Sequence, residues 1–185
     1  MALTPIAVAT LALLAERPMH PYEMVQTLLD RHEDRVVKVR PGSLYHAVER
    51  LAVAGMAEVV GTDRGGNRPE RTTYRITDAG RETLTRRLRE MLGAPAAPYP
   101  ELVLGLAEAH NLPRADVVTA VGRHLAALRA DTDELAGLLD AARAAGVAET
   151  YWIDGDYLLH LRRAEITWLD TLLARLTDGD LPWPK

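Results

Sequence analysis

Between residues 56 and 76 the hydrophobic pattern of this chain changes period. Met56-Ala57-Glu58-Val59-Val60 and Thr72-Thr73-Tyr74-Arg75-Ile76 have the composition of strands, whereas the sequence on either side repeats at helical spacing. Between them lies Gly61-Thr62-Asp63-Arg64-Gly65-Gly66-Asn67-Arg68-Pro69, a polar, glycine-rich loop. This order predicts a β-hairpin with a long basic tip. The fold class is therefore mainly α with a small β-hairpin wing.

Helical signals fill the rest. Leu3–Glu16 is apolar-rich, with Leu3, Ile6, Leu11 and Leu14 near the i, i+3/i+4 spacing. Arg17-Pro18-Met19-His20 reads as a turn, and Pro21 suits the first turn of a helix over Tyr22–Asp30. Ser43 is positioned to N-cap a third helix running to about Ala54, with Gly55 as its stop. After the hairpin, Thr77 can cap a helix over 78–92. Gly93–Pro100 holds three prolines in eight residues and reads as a linker. Helices follow over roughly 101–110, 113–145 and 153–176. The expected organisation is a domain over 1–92, a linker over 93–100, a helical domain over 101–177 and a polar tail over 178–185.

The chain's formal net charge is −4, which argues against a nucleic-acid partner until it is divided along the sequence. Residues 35–89 hold 12 basic against 6 acidic side chains, net +6, while residues 93–185 hold 8 against 14, net −6. A basic module joined to an acidic one suits phosphate contact by the first and assembly by the second. Several enzyme classes are excluded outright. There is no Cys, so no thiolate metal site and no Cys nucleophile. The single Ser, Ser43, lies outside any G-x-S-x-G, and neither Lys38 nor Lys185 sits in a phosphate-binding loop. His20, His32, His110, His124 and His160 show no metal-ligand spacing, and Asp131, Asp133 and Glu134 read as a solvated helix face. No enzyme, cofactor or metal is expected. No apolar run approaches a membrane span and no leader is evident, so a soluble, cytoplasmic protein is expected.

Three helices followed by a β-hairpin is the order of a winged helix-turn-helix. On the third helix Leu44, Ala47, Val48 and Leu51 share one face, leaving His46, Glu49, Arg50 and Val53 opposite, flanked by Ser43 and Tyr45. Such a helix can enter a major groove about 12 Å wide, with its N-terminal residues at base edges. The candidate DNA-contacting residues are Tyr22, Arg40, Gly42, Ser43, Tyr45, His46, Arg50, Arg64, Asn67 and Arg68. Tyr22 and Tyr45 could instead be core rings, His46 a plain surface histidine, and the hairpin arginines a solvated turn. Glu49 either discourages wrong sequences or accepts from a cytosine amino group.

These residues also carry a family resemblance. Leu13-Leu14-Ala15-Glu16-Arg17-Pro18-Met19-His20-Pro21-Tyr22-Glu23, then Pro41-Gly42-Ser43-Leu44-Tyr45, then Arg50–Met56, then Arg68-Pro69 with Tyr74–Gly80, occur in the order of the PadR family of transcriptional regulators. The sequence resembles that family over about its first half. The helical second half, with Trp168-Leu169-Asp170, resembles the larger PadR-like proteins whose C-terminal helices build a dimer. The resemblance implies a homodimer on an inverted-repeat (palindromic) operator in double-stranded DNA. It implies a repressor, often released by a small aromatic or other hydrophobic effector. Two positions depart from the family: Pro21 stands where Gly is usual, and His46 where Pro is frequent.

The last helix shows two apolar stripes. Leu158, Leu161, Trp168, Leu172 and Leu176 form one, and Ile166, Leu169 and Leu173 the other. One stripe should face neighbouring helices and the other a second subunit, although packing within a monomer would also use both. Tyr151, Trp152, Tyr157 and Trp168 could wall an effector pocket, or serve as core or interface rings. A competing reading makes the protein a ligand- or protein-interaction module whose winged helix does not read DNA.

Overall fold

A proline opens each of the first three helices, where its missing N–H and fixed φ carry no penalty. In the computed structural model these are α1 (Pro5–Glu16), α2 (Pro21–Asp30) and α3 (Pro41–Val53). The structure describes residues 3–63, 71–95 and 100–184. Pro41 at the first helical position moves the start of α3 earlier than the serine suggests. Arg40 is the N-cap residue and Ser43 lies inside the first turn, so Ser43 is not the cap. The other end follows expectation: Gly55 adopts φ +72°, and the Gly55 and Met56 N–H groups return to the carbonyls of Ala52 and Leu51.

Two compact units divide the chain, residues 1–97 and 98–185; residues 96–99 of the anticipated linker lie outside those described. In the first unit Leu11, Leu14, Met24, Leu28, Leu44, Val48 and Leu84 meet in one core. The hairpin strands β1 (Ala57–Asp63) and β2 (Arg71–Ile76) pair antiparallel, with Glu58 opposite Arg75 and Val59 opposite Tyr74, and a bulge at Val60. The turn between α1 and α2 also joins this sheet. Met19 and Tyr74 exchange both backbone hydrogen bonds, at 3.0 and 2.9 Å. A single bridging residue has no period, so nothing in the sequence could announce it.

Helix α4 (Asp78–Gly93) starts as predicted: the Thr77 hydroxyl accepts from the Gly80 N–H at 3.1 Å and donates to the Gly55 carbonyl at 2.7 Å. Gly80 is required there because a Cβ would collide with the Met56 carbonyl oxygen and lie 2.8 Å from Ile76 Cγ1.

The second unit contains α5 (Glu101–Ala107), α6 (Arg114–Ala144) and α7 (Ile153–Asp178). Val117, Val121 and Leu125 of α6 pack with Leu169 and Leu176 near the end of α7, while Leu135 and Leu139 meet Leu159 near its start. The two helices therefore run antiparallel. Arg129 donates to Asp170 at 2.6 and 2.7 Å, and Arg162 pairs with Asp131 at 2.8 Å. The last residues are no free tail: the Trp183 indole packs on this core and donates to the Leu112 carbonyl at 2.9 Å. Among the described residues no helix is long and apolar enough to cross a membrane.

Candidate nucleic-acid interface

Helix α3 is two-faced, as its sequence requires. Leu44, Ala47, Val48 and Leu51 are buried, whereas Gly42, Ser43, Tyr45, His46, Glu49, Arg50 and Val53 are exposed. Arg40 is exposed at the N-cap, and no side chain caps the helix, so the first-turn amides face outward with Ser43 beside them. A helix N-terminus of this kind attracts phosphate through its dipole and open N–H groups. Tyr22 is exposed on α2, where the preceding His20 holds the helix start by accepting from the Glu23 N–H at 3.1 Å. Tyr22 and Tyr45 are thus surface rings, not core ones. Arg64, Asn67 and Arg68 at the hairpin tip lie outside the described residues.

Charge on this surface is organised by pairs. The His46 Nδ1 stands 3.5 Å from the Glu49 Oε2, one turn along α3. Glu49 also bears on the hairpin: burial raises the Tyr74 phenol above its ordinary value, and the Glu49 carboxylate raises it further. That link between α3 and β2 was not legible in the sequence, because the residues are 25 positions apart with no shared pattern. Behind the surface, Arg31 donates to both oxygens of Glu16 at 2.6 and 2.8 Å and tethers the end of α2 to the end of α1. This bidentate contact holds the Glu16 carboxyl below its ordinary value of 4.5. A cavity of about 180 Å³ lies between α1 and α3, lined by Leu3, Ala7, Ala47, Leu51 and Met56, with Arg50 at its edge.

In the second unit the anticipated interface residues separate into two groups. Leu169 and Leu176 are 0% and 1% exposed within one chain, with Ile166, Leu172 and Leu173 partly buried beside them. Both stripes of the sequence reading therefore lose a member. Leu169 and Leu176 belong to the α6–α7 core because α6 covers that side of α7, and they are not surface open to a second subunit. Leu158 is half-buried against α6, while Leu161 and Trp168 stay exposed. Three of the four aromatic residues proposed for a pocket lie open on the surface of the chain. Tyr151, Tyr157 and Trp168 are 79%, 64% and 54% exposed. Trp152 is turned onto the helix pair, its indole donating to the Val147 carbonyl at 3.1 Å beneath the Arg143 guanidinium. Among the described residues no group of three or more metal-ligating side chains gathers.

Comparison with known proteins agrees with this geometry. Residues 10–86 match the model of the transcriptional regulator PadR-like family. Among solved structures, Bacillus subtilis PadR in complex with operator DNA superposes with a TM-score of 0.80 at 18% identity, over 94% of this chain and 99% of that one. The same protein in complex with p-coumaric acid gives 0.71 at 17% identity, over 94% and 98%. The Vibrio cholerae virulence activator AphA gives 0.72 at 18% identity, over 94% and 99%. No curated protein matches by sequence.

Proposed function

Because residues 10–86 match the model of the transcriptional regulator PadR-like family, we propose that the protein is a sequence-specific DNA-binding regulator acting as a homodimeric repressor. The observation that carries this reading is α3: a helix buried along Leu44, Ala47, Val48 and Leu51 that offers Ser43, Tyr45, His46 and Arg50 outward from an uncapped N-terminus. Ser43, Gly42 and Arg40 meet phosphate, Tyr45, His46 and Arg50 meet base edges, and Arg64, Asn67 and Arg68 contact the flanking backbone or minor groove. Tyr22 adds a backbone contact from α2.

The exposed side of α7, with Leu161 and Trp168, joins a second copy through a two-fold interface. Two α3 helices related by that axis read an inverted repeat whose half-sites lie about ten base pairs apart or a multiple of that. A small aromatic molecule releases the operator; the p-coumaric acid complex of the Bacillus protein supports that class. Selection of bound sequences from a random pool, followed by footprinting, tests the proposal. Recovery of one palindrome supports it, and binding that ignores sequence rejects it in favour of a module that does not read DNA.

A further inference from the structure

The outward face of α3 carries an internal pair that reaches the chemistry of base reading. His46 Nδ1 and Glu49 Oε2 are 3.5 Å apart, three residues along one helix, with both side chains largely exposed. We propose that Glu49 is a positioning residue: it draws the His46 proton to Nδ1 and leaves Nε2 as the atom that meets a base edge. This deepens the DNA-reading function proposed above and rests on it.

A neutral imidazole has one N–H and one lone pair, and a neighbour at one nitrogen decides which is which. A carboxylate only accepts, so beside Nδ1 it makes Nε2 the lone pair. In the major groove a lone pair matches the amino groups of adenine and cytosine and opposes the oxygens of guanine and thymine.

A carboxylate brought against DNA phosphates costs affinity, yet Glu49 is placed on this face, 3.5 Å from the His46 ring. Acidic groups on the elements packed against α3 have their own partners: Glu16 of α1 with Arg31, Glu23 of α2 with Arg17, and Glu58 of β1 with Arg75. The remaining titratable groups on α2, Tyr22 and Asp30, are exposed, as is Arg50 on α3 itself.

The test uses the full chain. In ¹⁵N imidazole spectra of the free protein at pH 8, His46 should carry its proton on Nδ1, and Glu49→Ala, which removes the acceptor, should shift it toward Nε2. In sequence selection at pH 8, one position should favour adenine or cytosine by roughly three- to tenfold, the range of a single hydrogen bond. His46→Ala should abolish that preference, Glu49→Ala should weaken it, and Glu49→Asp should restore it. A wild-type Nε2–H tautomer overturns the inference, as does a preference that survives His46→Ala and disappears only with Glu49→Ala. The expected tautomer combined with no selected sequence overturns the DNA-reading function itself, and the positioning role with it.

Discussion

Single residues fix the geometry on which the reading face depends. Gly80 lets α4 lie against the Met56 carbonyl, so Gly80→Ala forces the backbone apart. Overpacking of this kind costs about 1–3 kcal/mol, and a denaturant titration should show that loss without change of slope. The Glu16–Arg31 contact adds a pH dependence whose direction is set. Its carboxyl titrates below 4.5 in the folded state, so the contribution is complete above that value and fades as pH falls through the lowered one. Both side chains are nearly half exposed, which limits the pair to about 0.2–1 kcal/mol. Glu16→Gln should therefore be less stable at pH 7, and the difference should shrink as pH falls below 4.5.

At the scale of elements, the proposed function divides the work of binding between α3 and the hairpin. Arg64→Ala and Arg68→Ala should weaken binding to all sequences and flatten its salt dependence, each removing about one phosphate contact. Arg50→Ala should instead relax preference at one base pair. Titrations on operator and random DNA at several salt concentrations separate the two effects. The elements themselves were largely legible: a period of 3.6 interrupted by two β-branched runs places the helices and strands, and glycines at Gly55 and Gly146 mark where helices stop. The α3 boundary was misjudged because a serine cap and a proline at the first helical position compete, and the proline wins. The stripes of α7 were misassigned for a different reason. Periodicity identifies an apolar face but not its partner, and only the packing of α6 shows that Leu169 and Leu176 are already covered.

For the whole molecule, charge is unevenly divided along the chain. Net +6 falls on residues 35–89, which include the helix and hairpin proposed to meet DNA, and net −6 falls on residues 93–185, where Leu161 and Trp168 are exposed. Trp168→Glu should shift the proposed dimer toward monomer, at a cost of about 2 kcal/mol or more for an interface anchor. Light scattering reads the change directly, and operator affinity should fall with it while helical content stays constant. The Met19–Tyr74 bridge bears on how long the first unit holds its shape. It stitches the turn between α1 and α2 to the hairpin across 55 residues of sequence, so its two amides are released only when distant parts of the chain separate together. In deuterium, Met19 and Tyr74 should be among the slowest amides of the hairpin region, exchanging by cooperative opening rather than by fraying. The hairpin therefore keeps time with the helices it serves.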